Sequence, residues 1–180
     1  CALPICALGQ GGGYRHVYAK TSTMLYNLQY VLGDSLFSAA MKHYVAQWKF
    51  AHPYPEDFRN SIIQFTHVDL NWFFDEWIET TKSIDYKIGR IKKVKAVGDN
   101  TNHGSQYSIR LKRKGRMQMP IDFSVETKDG KTFSYTIPNT WYPKKSDATI
   151  LPKWYGWDKL ESTYTATLTS SSKIKNVVID

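Results

Sequence analysis

None of the five histidines in this chain (His16, His43, His52, His67 and His103) stands in H-E-x-x-H. That spacing sets two imidazoles and a glutamate on one helix face around a Zn²⁺. Its absence excludes a self-contained helical zinc-peptidase site. Cysteine is nearly missing as well: Cys1 and Cys6 are the only two, both in the first six residues. A pair that close together in a tail makes a poor disulfide framework. No run of about 18 apolar residues exists, so no transmembrane helix is expected. There is no internal repeat. The first residue is not Met, as expected of a processed chain or a fragment. Residues 1–13, CALPICALGQGGG, end in a glycine run and read as a flexible lead-in or tag remnant. An amino-terminal Cys1 would fit a lipid-modified terminus in a bacterial cell envelope; the compartment is otherwise open.

What is present suits a folded chain. Hydrophobic residues make up 42% of the 180 and aromatics 14%, enough to bury a core and far from a disordered composition. The formal charge of +8 is unevenly spread. Residues 1–83 hold six bases against seven acids, and residues 84–180 hold eighteen against nine. Charge character changes where the hydrophobic pattern changes.

The first part has a helical period. Met24, Leu25, Leu28, Val31 and Leu32 share one helix face, and Gly33 stands where a glycine would end that helix. Asp34 or Ser35 is expected to cap a second helix, along which Leu36, Phe37, Ala40, Met41, Tyr44, Val45 and Trp48 form a wide apolar stripe. Pro55 suits the first turn of a third helix, with Glu56 and Asp57 favourable at its N-terminal dipole and Phe58, Ile62 and Phe65 buried. Asp69 is expected to cap a fourth, with Leu70, Phe73, Phe74, Trp77 and Ile78 pointing inward. From about Tyr86 the period becomes two. Tyr107, Ile109 and Leu111 alternate with Ser108, Arg110 and Lys112, and Met119 to Val125 alternate likewise. Asp129-Gly130 signals a hairpin before Phe133, Tyr135 and Ile137. Tyr164 to Leu168 and Ile174 to Ile179 suggest two further strands, and 138–153 a long loop. The expected fold is α+β: a short helical subdomain of about four helices, residues 14–84, then an antiparallel β-sandwich, residues 85–180.

Several segments resemble a known family. Val17-Tyr18-Ala19-Lys20 precedes Met24-Leu25, Leu32-Gly33 and Phe37; Pro55-Glu56-Asp57-Phe58 and Asp69-Leu70-Asn71-Trp72-Phe73-Phe74-Asp75-Glu76-Trp77 follow in order. Together they resemble the last helices of the catalytic domain of the aminopeptidase N-like gluzincins, the thermolysin-like zinc aminopeptidases. Gly115 to Pro120, Asp129-Gly130 and Val177 to Asp180 are similar, more loosely, to the β-domain that follows it. The resemblance implies hydrolysis of amino-terminal peptide bonds. In that reaction Zn²⁺ polarises the scissile carbonyl and activates water, a glutamate is the general base, and a tyrosine donates to the oxyanion. Tyr18 matches that tyrosine. The zinc ligands would lie before residue 1. Zn²⁺ is thus expected in a longer parent, and none in this chain. The expected partners are peptide substrates, met through the whole enzyme, and the upstream catalytic half of the parent.

Plainer readings stand beside these. Tyr18 is one of 12 tyrosines, and a tyrosine at a helix start is usually packing or a surface hydroxyl. Tyr14 precedes Tyr18 by one helical turn and is a candidate substrate contact, though exposure in a glycine-flanked lead-in explains it as well. Lys20 suits an ion pair or solvent exposure, His67 a helix boundary, and Asp75, Glu76 and Glu79 a solvated acidic face. The bases of the β part could meet a phosphate backbone. Alternation instead puts Arg110 and Lys112 on an ordinary wet strand face, which argues against nucleic acid as a partner. A different class of function is also open: a non-catalytic β-sandwich module binding peptide or carbohydrate through Trp141, Tyr142, Trp154, Tyr155 and Trp157.

Overall fold

A computed structural model describes residues 15–94, 104–154 and 161–180. The chain forms two compact units, Cys1–Thr81 and Lys82–Asp180.

In the first unit a π-helical stretch, Arg15–Lys20, runs directly into α1, Thr21–Leu32. The hydroxyls of Ser22 and Thr23 donate back to the carbonyls of Tyr18 (2.7 Å) and Ala19 (2.8 Å), an i−4 bond that short polar side chains make at helix starts. Gly33 ends α1 at φ 81°, ψ 156°, a backbone region open to glycine, and its N–H bonds the Gln29 carbonyl at 2.8 Å. The chain then enters α2, Asp34–Trp48. Neither expected cap forms there. Gly33 itself stands at the N-cap, and the Asp34 carboxylate turns back to accept from Gln29 Nε2 at 2.9 Å. Asp34 still sits favourably in the first turn, against the positive end of the dipole.

Helix α3, Pro55–Thr66, opens on Pro55, and the Asp57 carboxylate accepts the Tyr54 N–H at 2.8 Å. His67 closes it with φ 55°. Helix α4, Asn71–Glu79, has Leu70 at its N-cap. Asp69 still satisfies an orphan donor there, accepting the Asn71 N–H at 3.1 Å. The core of this unit is Leu28, Leu32, Ala40, Ile62, Leu70, Phe73 and Phe74. Phe73 meets Trp72, Phe74 and Trp77 with ring centroids 5.6, 5.5 and 6.1 Å apart. Two expectations fail on α4. Ile78 points outward, 43% exposed, while Trp72 packs inward. Glu76, expected on the solvated face, is 7% exposed. Both follow from the 100° step: residues 72, 73, 76 and 77 share one face of a helix, and 78 leaves it. The apolar stripe of α2 is also less covered than expected, since only Ala40 is fully buried.

In the second unit, β1 (Tyr86–Val94), β2 (Ser105–Arg113) and β6 (Thr163–Ser170) form a sheet in the order β1-β2-β6. The strands β3 (Ile121–Thr127), β4 (Thr132–Ile137), β5 (Thr149–Ile150) and β7 (Ile174–Ile179) form another, ordered β5-β4-β3-β7. The β3–β4 hairpin turns at Asp129-Gly130, where the Gly130 N–H bonds the Thr127 carbonyl at 3.0 Å. All pairings are antiparallel except β4–β5. The parallel pair is local, and the antiparallel expectation holds for the other pairings. The connection from Ile137 to Thr149 is about a dozen residues, long enough for the chain to return and pair in parallel. Inward residues of both sheets meet in one core: Ile109, Leu111, Ala166 and Leu168 from one, and Ile121, Phe123, Val125, Ile137 and Val177 from the other, with Trp154. Alternation is carried by β2 and β3, the central strands.

Before β1 and after β2 the chain closes on itself. Lys114 and Gly115 donate to the Asp85 carbonyl at 2.7 and 3.0 Å, and Met117 to the Ser83 carbonyl at 3.1 Å. A Cβ on Gly115 would strike the Ser83 carbonyl oxygen, so only glycine permits this approach. Tyr86 then pins the segment. Its hydroxyl donates to the Met117 carbonyl (3.0 Å) and accepts the Met119 N–H (2.9 Å).

Candidate functional site

The expected donor, Tyr18, lies in the π-helical stretch before α1 with its side chain 66% exposed. A π-helical turn widens the helix and re-aims its side chains, a distortion often found at functional positions. The Ser22 and Thr23 bonds to the Tyr18 and Ala19 carbonyls fasten this stretch to the regular helix behind it. Lys20 is turned toward the end of α4, its ammonium 3.4 Å from the Thr80 carbonyl. Tyr14, the candidate substrate contact, lies outside the described residues.

Several other ionisable groups of this unit are engaged in structure. Arg59 pairs with Asp75 at 2.7 Å and sends Nε and Nη2 to Asn71 Oδ1, tying α3 to α4. The His43 ring stacks on Phe65 at 4.7 Å. Burial holds the Tyr44 phenol above its ordinary range, and the Asp57 carboxylate adds to the effect. Among the described residues no three His, Cys, Asp or Glu side chains gather as a metal site requires. The described side chains therefore do not fit Zn²⁺, and no chemical step through a metal follows from them. The buried Glu76 escaped the sequence reading, although its spacing from Trp72 and Phe73 is the signal of a buried face.

In the second unit the aromatic cluster divides. Trp141 is 82% exposed with the Lys153 ammonium 4.0 Å from its ring centroid. Trp154 is a core residue whose indole donates to the Glu161 carbonyl at 3.1 Å, and Tyr142 is half-buried. Tyr155 and Trp157 lie outside the described residues. No helix among the described residues is long and apolar enough to cross a membrane.

Taken by class, the described residues form an α+β fold of four α-helices followed by two packed, mostly antiparallel sheets. Residues 14–77 match the peptidase family M1 domain. The match spans Tyr18, Gly33, Pro55–Phe58 and Asp69–Trp77, the segments that carry the aminopeptidase N-like resemblance, and is consistent with a fragment of that family. It relates the helical unit to metallopeptidase hydrolases, a family that is zinc-dependent in general and acts on peptides. No curated protein matches the sequence.

Proposed function

We propose that the chain is a fragment of a zinc-dependent aminopeptidase, in which residues 14–84 complete a thermolysin-like catalytic domain and residues 85–180 form the β-domain behind it. Tyr18 is the oxyanion donor of the whole enzyme. The observation that carries this reading is the family match over residues 14–77; Tyr18 lies inside that range, in the Tyr-x-Lys segment that carries the resemblance. Its exposure supports the assignment, because a donor must reach a substrate. A phenol keeps its proton at neutral pH and donates a hydrogen bond that strengthens as charge develops on the tetrahedral oxygen. Losing one such donor costs about 100- to 1000-fold in turnover.

The test has two parts. The 180-residue chain, assayed with aminoacyl-anilides and for bound metal, is expected to turn over nothing and hold no stoichiometric zinc. Zinc at one equivalent together with turnover overturns the fragment reading. In the longer enzyme, Tyr18→Phe is expected to cut kcat with zinc content unchanged; an unchanged kcat removes Tyr18 from the mechanism. A second reading, a non-catalytic module for peptide or carbohydrate, rests among the described residues on the exposed Trp141. It requires that Trp141→Ala abolish a ligand-induced change in tryptophan fluorescence.

A further inference from the structure

Alternation along β2 turns Tyr107, Ile109 and Leu111 into the core and leaves Gln106, Ser108, Arg110 and Lys112 on the outer face. The register sets Lys92 of β1 opposite Ser108 and Lys87 opposite Lys112. On the other side it sets Thr169, Thr167, Thr165 and Thr163 of β6 opposite the same four β2 residues. Gly89 and Arg90 form a bulge, two residues of β1 facing Arg110 alone, and Arg90 is exposed. The bulge keeps both Ile88 and Ile91 opposite inward residues, Leu111 and Ile109, despite their odd spacing. The outer face therefore carries Lys87, Arg90, Lys92, Arg110 and Lys112 on adjacent strands about 4.8 Å apart, beside a row of threonine hydroxyls.

Among the described residues this charge has no internal answer. The three strands contain no Asp or Glu. Among the described residues none of the five cations forms an ion pair. Lys87 directly opposite Lys112 is a like-charge pair, which disfavours the folded sheet. The other sheet is arranged differently: Asp122 and Glu126 on the outer face of β3 are matched by Lys144 (2.5 Å) and Lys175 (2.6 Å). Among the described residues the unmatched face also lacks a stacking platform. Tyr107 is buried in the core, Tyr86 bonds the Met117 carbonyl and Tyr164 the Pro152 carbonyl. Among the described residues, unpaired nucleic-acid bases would find no aromatic to stack on. The second unit has no helix among its described residues to enter a duplex groove. An open array of cations and hydroxyls suits a layer of anionic headgroups.

We infer that the outer face of the β1-β2-β6 sheet docks on an anionic phospholipid surface. The five cations meet headgroup phosphates, and the threonine hydroxyls of β6 donate to the same oxygens. This surface role is independent of the peptidase reading, and either can fail alone.

The test is co-sedimentation of the full 180-residue chain with vesicles. Phosphatidylcholine vesicles with about a quarter phosphatidylglycerol are compared with pure phosphatidylcholine. Partition is expected only with phosphatidylglycerol, and is lost between about 25 and 300 mM salt as screening shortens. Each cation near an anionic surface is worth about fivefold in partition, so Lys92→Gln, Arg110→Gln and Lys112→Gln together are expected to lower it about 100-fold. Arg110→Gln alone, the milder variant should the triple one misfold, is expected to lower it about fivefold. Lys128→Gln, Lys131→Gln and Lys173→Gln remove the same charge near the β3–β4 hairpin and are expected to change partition less than about threefold. Absence of phosphatidylglycerol-dependent partition at low salt overturns the inference, as does an equal loss from the hairpin variants. A short DNA that displaces the chain from vesicles at equal phosphate concentration also overturns it, in favour of nucleic acid.

Discussion

Removing one oxygen from Tyr86 tests whether a single hydroxyl holds the entry to β3. In Tyr86→Phe the ring is kept, including its edge contact with Trp154 at 6.0 Å between centroids. What is lost is the donor to the Met117 carbonyl and the acceptor of the Met119 N–H, bonds of 3.0 and 2.9 Å. Met117 and Met119 are both buried, so water does not readily replace the hydroxyl. A buried group left unsatisfied costs about 1–3 kcal/mol, and two groups with some relaxation cost about 2–4 kcal/mol. Native-state hydrogen exchange at the β3 amides reads this unit separately from the helices. Protection of those amides is expected to fall about 30- to 700-fold, at 1.4 kcal/mol per factor of ten. Tyr164→Phe is the control. Its hydroxyl donates to the Pro152 carbonyl at 2.8 Å in an exposed bond that water can replace, so the loss should stay below about 1 kcal/mol. Equal losses from the two variants would refute the argument that burial of the partners sets the cost.

Gly115→Ala is expected to destabilise the β unit by about 1–3 kcal/mol, because the added Cβ meets backbone atoms of Ser83 and Asp85 that cannot rotate away; thermal melting of the variant measures it. Phe73→Ala removes a fully buried ring with three aromatic neighbours and is expected to cost about 3–5 kcal/mol, read as loss of exchange protection in α4. Burial raises the phenol pKa of Tyr135 and of Tyr164 above the ordinary value. The folded chain thus holds those protons more tightly than the unfolded one. Their contribution to stability is complete below about pH 10 and is lost as pH rises through the folded-state values. Phenolate absorbance should therefore show late-titrating tyrosines in buffer that return to ordinary titration in denaturant.

The β unit was the more legible of the two from sequence. Tyr107-Ile109-Leu111 and Ile121-Phe123-Val125 alternate cleanly because each strand has one face in the core and one in water. Asp129-Gly130 marked the hairpin because its turn chemistry is local. The two residues of β5 carried no such mark; they pair by virtue of the neighbour the loop brings them to. On α4 the apolar residues crowd so densely that spacing left the inward arc open by one residue, which misassigned Ile78 and Glu76. The Asp34 cap failed because Gln29, five residues back across Gly33, competes for its carboxylate.

Residue order alone determined the helix-to-strand division near residue 84, the charge step there, and the Tyr18 to Trp77 segments that mark the peptidase relation, since each depends on neighbours within a few turns of chain. Tertiary structure decided which groups meet. It buried Glu76, divided Trp141 from Trp154, and aligned Lys87, Lys92, Arg110 and Lys112 on one sheet face. That alignment needs the β1 bulge and the pairing register, which are set by which side chains fill the core and not by the sequence spacing of the cations themselves.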